Sequence, residues 1–347
     1  MTLYLHIPFC TSKCGYCAFN SSAQYDSLVQ QQYTLALIAD ITAQLQNHSY
    51  QLSSIYIGGG TPNTLASRHY AKIFECINLY ASLEADCEIT IEANPNLISL
   101  EWMSDLKSFG INRVSLGVQS FNDAKLQFLQ RDHQSYDIQS SITAIRKAQI
   151  QNISLDLIYG TPFDDEQFLL QELTQLQSFD LYHLSAYTLS IDKGSAFYKN
   201  PPSLPNNDHS LYLRHILHDF NFTQYEVSNF FCKAKSKHNL AYWQGLDYLG
   251  CGAGGVGCID GTRMQGSNNI HTYIKNPTHK QKEFLTPQDQ RLERLFLGLR
   301  CEVGVDLADL DSQKISYLLE ENKCHINHNR LVANDYFLAD EIALFLS

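Results

Sequence analysis

No stretch of the 347 residues approaches the ~18 consecutive apolar residues that a membrane span needs. No internal repeat or low-complexity tract breaks an ordinary globular composition, 44% hydrophobic. Charge is sparse at 18% of residues, and positive charge is the scarcer sign: 25 Lys and Arg against 36 Asp and Glu leave a formal net charge of −11. Nucleic acid is held chiefly by Lys and Arg, so this balance argues against a nucleic-acid partner. The opening residues, MTLYLHIPFC, lack the basic flank of a secretory signal and enter an apparent strand at once. With ten cysteines and no secretion signal, the expected setting is a reducing cytoplasm, where thiols serve metals or stay buried.

What is present is concentrated near the start. Cys10, Cys14 and Cys17 fall within HIPFCTSKCGYC, spaced C-x3-C-x2-C, and the next cysteine is Cys76. Cysteine thiolates hold iron–sulfur clusters, and a [4Fe–4S] cube has four irons to ligate. Three protein ligands leave one iron open to the amino and carboxylate groups of S-adenosylmethionine. An electron from the reduced cluster would then split the sulfonium and release a 5′-deoxyadenosyl radical. Tyr16, between the second and third cysteines, suits an aromatic that shields the cluster edge. Two other readings of the thiols stay open: a structural zinc site with His6 as fourth ligand, or ordinary burial. Cys76, Cys87, Cys232, Cys251, Cys258, Cys301 and Cys324 form no comparable cluster and read as core or incidental residues.

Strand-like and helix-like runs alternate over the first two thirds. Strands are expected at Leu3–Ile7, Ser54–Ile57, Glu88–Ile91, Arg113–Val118, Ser154–Tyr159 and His183–Leu189. Helices are expected at Leu28–Leu45, His69–Ser82, Leu100–Phe109, Ile138–Ala148 and Glu166–Leu176. Six βα units predict an α/β fold, an open (β/α)6 partial TIM-type barrel over residues 1–230. Ligands of such folds bind at the carboxyl ends of the strands. Gly58 to Pro62, Glu92, Gln119 and Asp156 fall there, and Arg131 follows the fourth unit. Several polar residues around one mouth, beside the cysteines, predict a ligand site.

Taken in order, HIPFCxxxCxYC, GGGTP, EANP, SLGVQSF, DLIYGTP and HLSAYTL resemble the oxygen-independent coproporphyrinogen III oxidase family of radical-SAM proteins. The resemblance runs through nearly the whole chain. It implies a [4Fe–4S] cluster on the three cysteines. It also implies S-adenosylmethionine contacts from Tyr4, Gly59, Gly60, Thr61, Glu92, Gln119, Arg131 and Asp156. The oxidases of this family carry a further cysteine two residues after the third, where this chain has Phe19. They also have an N-terminal extension, whereas nine residues precede Cys10 here. Both departures point to the heme-chaperone branch, although its members usually read CDF where this chain has Ala18 before Phe19. SKHNLAYWQG resembles that branch's HNxxYW segment and implies heme contact by His238, Asn239, Tyr242 and Trp243. Helix capping by His238 and Asn239, with Tyr242 and Trp243 in the core, is the plainer reading of the same residues.

Residues 233–282 hold seven basic residues against two acids, formally +5, and Lys233, Lys235 and Lys237 lie beside His238. Such a stretch can receive heme propionates or can be a solvated linker. The glycine run Gly250 to Gly257 lacks the βα context of a dinucleotide fingerprint and reads as a tight turn. Residues 231–284 are expected to connect the barrel to a small winged-helix-like α+β module at 285–347. Residues 283–347 carry twelve acids and six bases, so a lid or protein-docking role suits the module better than DNA binding. Two functions follow. One is a heme chaperone passing heme to an acceptor protein, membrane-associated acceptors included, with an electron donor for the cluster. The other is a radical-SAM oxidoreductase acting on a tetrapyrrole. The missing fourth cysteine, the short start and HNLAYW favour the chaperone, with no porphyrinogen oxidase activity. Replacing Cys10, Cys14 and Cys17 together by serine should abolish the visible absorbance of anaerobically reconstituted protein; a triple variant that keeps it contradicts the cluster assignment.

Overall fold

The computed structural model describes residues 1–205 and 208–347. Six strands run parallel in sequential order: β1 (Thr2–Ile7), β2 (Gln51–Gly59), β3 (Ser82–Ala93), β4 (Arg113–Gln119), β5 (Asn152–Tyr159) and β6 (His183–Thr188). Helices Ser27–Leu45, Ser67–Tyr80, Leu100–Ser108, Ser135–Lys147 and Glu166–Leu176 return the chain between them. This is the open α/β barrel that the alternation predicts. Helix ends are signalled locally: Asp26, Ser99 and Asp165 each accept a backbone N–H of the first turn.

Successive residues of a strand point to opposite faces, and here the two faces differ in kind. Leu3, Leu5 and Ile7, Ile55 and Ile57, Val114, Leu116 and Val118, and Ile153 and Leu155 all belong to the apolar core. The residues between them are polar: Tyr4 and His6, Ser54 and Tyr56, Glu88, Thr90 and Glu92, Arg113 and Ser115, Ser154 and Asp156, His183 and Ser185. Register aligns this second set across the strands, with Tyr4 beside Tyr56, Tyr56 beside Thr90, Glu92 beside Ser115, and Asp156 beside Ser185. The apolar set packs under the helices, and the polar set fills the barrel interior.

Residues 231–284, expected to connect two units, instead extend the main sheet. β7 (Thr223–Gln224) and β8 (Asn229–Phe231) close one edge beside β6, antiparallel. β9 (Tyr248–Cys251) lies parallel to β1 at the other edge, and β10 (Val256–Ile259), β11 (Thr262–Gly266) and β12 (Lys280–Phe284) follow antiparallel, giving twelve strands. The glycine run makes the turn between β9 and β10. At Gly252, φ is +108° and a Cβ would fall 2.5 Å from the His6 carbonyl oxygen, so only glycine fits this approach to β1. Buried Asp40 holds the turn from below, accepting from Gly252 N (3.1 Å), the Tyr273 hydroxyl (2.8 Å) and Lys280 Nζ (2.7 Å).

The C-terminal helices and hairpin have a core of their own, including Leu295, Leu299, Leu318, Leu331, Ile342 and Leu346. Helices Pro287–Leu299, Ser312–Glu320 and Ala339–Leu346 pack on a small antiparallel sheet of β13 (Val305–Asp306), β15 (Arg330–Ala333) and β14 (Cys324–Asn327), in that order. The arrangement is winged-helix-like.

Behind the tips of β4 and β5 lies a dry ion cluster. Lys125 Nζ reaches Asp164 Oδ1 (2.7 Å) and Glu172 Oε2 (2.8 Å), and its side chain is fully buried. Glu172 also accepts from the Ser120 hydroxyl and Phe121 N, and Asp164 from Thr161 N. The cluster therefore ties together the loops that follow both strands. Removing one partner strands the other charges without water. Lys125→Met should lower unfolding stability in a urea titration by about 3–5 kcal/mol; a change below about 1 kcal/mol would show that the triad does not hold the loops.

Candidate functional site

The loop after β1 carries the three cysteines, and its conformation is fixed from beneath. Gly15 N donates to the Leu129 carbonyl (3.2 Å), while its own carbonyl accepts from Phe197 N (2.8 Å). Tyr16 packs onto a small cluster of Leu129, Ile158, Leu189 and Phe197. The Phe197 ring occupies the space in which a Gly15 Cβ would stand. Two further bonds tether the loop's far end: Cys10 N donates to the Ser22 carbonyl (3.0 Å), and Asn20 Nδ2 to the Ala253 carbonyl (3.0 Å).

Cys10, Cys14 and Cys17 open on a chamber of about 380 Å³ at the carboxyl ends of the strands. Gly59, Gly60, Thr61, Glu92, Gln119, Arg131 and Asp156 line it with them, so seven of the eight residues expected at S-adenosylmethionine share one space. Arg131 spans the mouth: one guanidinium nitrogen donates to Cys14 Sγ (3.2 Å), the other to Asn94 Oδ1 (2.7 Å) and the Gly117 carbonyl (2.8 Å). Thr61 Oγ1 donates to Cys10 Sγ (3.5 Å). A Cβ on Gly60 would lie 2.7 Å from the Phe9 carbonyl and 3.0 Å from Cys10 Sγ, which leaves that cradle to glycine. Gln119 takes a left-handed φ of 63°, which turns the chain sharply at the tip of β4.

Burial pushes the Cys10 and Cys17 thiols above their ordinary pKa. A coordinated metal would deprotonate such thiols outright. His6 is not spare: Nδ1 meets the Tyr4 hydroxyl (3.0 Å) and Nε2 the Asn20 carbonyl (2.8 Å). That weakens the zinc alternative, which needs His6 as the fourth ligand. Among the described residues, no three His, Cys, Asp or Glu side chains converge closely enough to hold one metal ion. Cluster thiolates each take a separate iron and need no such convergence. Phe19, where the oxidases have a cysteine, sits on the chamber rim and is 70% exposed.

Two carboxyls stand at the chamber floor. Glu92 accepts from the Tyr56 hydroxyl (2.7 Å) and Gly59 N (3.1 Å), and burial raises its pKa to about 7. Asp156 accepts from the Ser115 hydroxyl (3.2 Å), and burial raises its pKa too.

Tyr4 is the exception among the eight. It faces a second, larger cavity of about 980 Å³ between the barrel, β9 to β11 and helix Pro287–Leu299. His238, Asn239 and Tyr242 line that cavity as well, and Trp243 does not. His238 is 1% exposed; Nδ1 meets Ser54 Oγ (2.9 Å) and Nε2 the Tyr242 hydroxyl (3.0 Å). Burial drops its pKa to about 3, so the ring is neutral. Glu88 caps the helix Lys237–Trp243, accepting from Lys237 N (3.1 Å) and His238 N (3.2 Å). The lysines beside it are engaged: Lys233 pairs with Asp180, Lys237 with Asp86, and Lys235 with Glu302 (2.5 Å). Each of these lysines is therefore already paired with a carboxylate, which counts against the propionate reading of this stretch. Arg294 brings positive charge to the cavity, while Arg263 there is paired with Glu283 and Glu293 and Arg300 with Asp340.

The sequence reading missed Asn94, Ser115 and Tyr187, which line the smaller chamber. All three lie inside motifs it had singled out, in EANP, RVSLGVQSF and HLSAYTL. Strand alternation was the available signal for Asn94, two residues beyond Glu92 on the same side of the chain.

Comparison with known proteins follows the same lines. Residues 4–170 match the model of the radical SAM superfamily. The chain is 33% identical to the heme chaperone HemW of Lactococcus lactis subsp. lactis, over 96% of this chain and 90% of that protein. It is 35% identical to that of Bacillus subtilis (87% and 84%) and 32% identical to that of Escherichia coli (78% and 74%). Among solved structures, coproporphyrinogen III oxidase (HemN) from Escherichia coli, described as a radical SAM enzyme, superposes with a TM-score of 0.84. That likeness covers 99% of this chain and 89% of the other at 20% identity, and it speaks for the fold alone.

Because Glu92 is protonated in the folded chain up to about pH 7 but only to about 4.5 when unfolded, folding takes up a proton between these values. Its contribution to stability is thus present below about pH 4.5 and lost as pH rises to about 7. Glu92→Gln should flatten this part of the stability–pH curve of the ligand-free protein, measured by chemical denaturation; an unchanged curve refutes the assignment.

Proposed function

The chain belongs to the family of the heme chaperone HemW, and from that membership we propose that it binds heme and delivers it to an acceptor protein. The observation that carries the reading is the 980 Å³ cavity beside the cluster chamber. Its volume is at the top of the ~300–1,000 Å³ range of ligand sites. Tyr242, Leu246, Leu292 and Phe296 offer apolar faces to a macrocycle, and Arg294 offers a partner for a propionate. Heme sits there in this reading, against His238, Asn239 and Tyr242, with Trp243 supporting the helix from outside the cavity. For His238 to ligate iron through Nε2, the Tyr242 hydroxyl must first let go of that nitrogen.

The smaller chamber holds a [4Fe–4S] cluster on Cys10, Cys14 and Cys17 and S-adenosylmethionine on Gly59, Gly60, Thr61, Glu92, Gln119, Arg131 and Asp156. The three thiols at one mouth, the Gly60 cradle and the Arg131 bond to Cys14 fit that pair of groups. When bound, the cluster supplies a single electron for reductive chemistry at the sulfonium. Glu92 takes the ligand's amino group, the glycine loop leaves room for the methionyl backbone, and Arg131 fixes the Cys14 sulfur. Tyr4 serves the heme cavity rather than this chamber. Phe19 on the rim offers no fourth thiol, which keeps porphyrinogen oxidation in second place.

A heme titration of the reconstituted protein, followed by Soret absorbance, tests the reading. The wild type should bind heme saturably, one to one, and His238→Ala should bind more weakly or with an altered spectrum. A variant identical to wild type moves the iron ligand elsewhere. No specific binding by the wild type overturns the chaperone reading.

A further inference from the structure

The two chambers share a wall of tyrosines. Tyr187, 43% exposed at the tip of β6, lines both. Tyr56 lines the larger one, while its hydroxyl donates to Glu92 in the smaller (2.7 Å). One aromatic ring therefore separates the Glu92 carboxyl from the larger cavity. Asp156, the second carboxyl behind the wall, has neutral hydroxyls for partners, Ser115 at 3.2 Å and Ser185 beside it.

The positive charges that bear on these carboxyls are Arg113 and Arg131. Arg131 is committed to Cys14, Asn94 and the Gly117 carbonyl. Arg113, 2% exposed, reaches Thr90 Oγ1 at 3.5 Å and has an unpartnered Nε. Among the described residues, Glu92 and Asp156 form no ion pair with either guanidinium. Burial raises both pKa values, so above about pH 7 the Glu92 carboxyl ionises with no ion pair to balance its charge until a ligand arrives.

We propose that a cationic ligand in the cluster chamber tightens the binding of an anionic macrocycle in the neighbouring cavity, by neutralising the Glu92 carboxylate behind the tyrosine wall. The proposal rests on the functional reading above for the two ligands. S-adenosylmethionine carries a sulfonium and an amino group against one carboxylate, and heme carries two propionates. A carboxylate one aromatic ring from the cavity repels an anion held there with less screening than in open water. Pairing that carboxylate with a cation removes the repulsion. The coupling must be reciprocal, so heme tightens S-adenosylmethionine binding by the same factor.

The test is heme affinity by Soret titration of reconstituted protein at about pH 8, above the raised pKa of about 7 at Glu92, with and without saturating S-adenosylmethionine, in wild type and Glu92→Gln. The substituted amide is isosteric with the carboxyl and keeps an oxygen for the Tyr56 hydroxyl. Wild type should bind heme about fivefold or more tightly when S-adenosylmethionine is present, at the low end of usual coupling. Glu92→Gln without it should match the S-adenosylmethionine-loaded wild type. Heme affinity in wild type that ignores S-adenosylmethionine, measured where heme does bind, overturns the coupling alone. Ligand-free Glu92→Gln that binds heme no more tightly than ligand-free wild type, or that S-adenosylmethionine still tightens by the wild-type factor, overturns the role of the Glu92 charge. Wild type that binds no heme overturns the functional reading and the coupling with it.

Discussion

Helices cover the outside of the parallel strands, so whatever faces the barrel interior must be polar enough to hold ligands and satisfied enough to fold. Burying an unpartnered polar group costs about 1–3 kcal/mol, and this interior holds His6, Glu88, Thr90, Arg113, Ser154, His183 and His238. The chain meets that constraint by pairing the lumen residues with one another: Ser54 with His238, Ser154 with His183, His183 with Tyr225, Tyr56 with Glu92. Near the amino ends of the strands a few polar atoms stay unpartnered, Thr2 Oγ1, Arg113 Nε and Asn152 Oδ1 among them. Near the carboxyl ends, carboxyls, a guanidinium and thiols face the chambers. The chamber residues are themselves paired, Glu92 with Tyr56, Asp156 with Ser115 and Arg131 with Asn94, so the site is held in place before a ligand enters.

Everything around the smaller chamber serves to hold that open end still. The cysteine loop is bound to Leu129 and Phe197 on one side and to Ser22 and Ala253 on the other. Arg131 belongs to the stretch that follows the Lys125 helix, so a short run of chain joins the dry ion triad to the Cys14 sulfur. The larger cavity is built from parts far apart in sequence, with β1 and β2 on one side and Pro287–Leu299 on the other. Tyr56 and Tyr187 face both spaces, which puts the chemistry of one within a side chain of the other.

Much of this was legible in the sequence because the signals were local. C-x3-C-x2-C, the six alternations of strand and helix, and polar residues at strand tips each show within a few residues of chain. Two things were not legible. The lysines at 233, 235 and 237 read as free positive charge because their partners lie 53, 67 and 151 residues away. β9 to β12 read as connection because they are only four or five residues long, and β9 pairs with a strand at the opposite end of the chain. The side of the wall that Tyr4 faces is likewise set by barrel curvature, since Tyr4 and Glu92 share the same polar alternation.

The central claim is that a cluster in the smaller chamber and a heme in the larger one are immediate neighbours across a tyrosine wall. The most direct measurement is the EPR relaxation of the reduced cluster with and without paramagnetic heme bound. Neighbouring centres predict a cluster signal that relaxes markedly faster, and saturates at higher microwave power, once heme is present. A cluster signal whose relaxation is unchanged by stoichiometric bound heme would place the heme elsewhere and contradict the account.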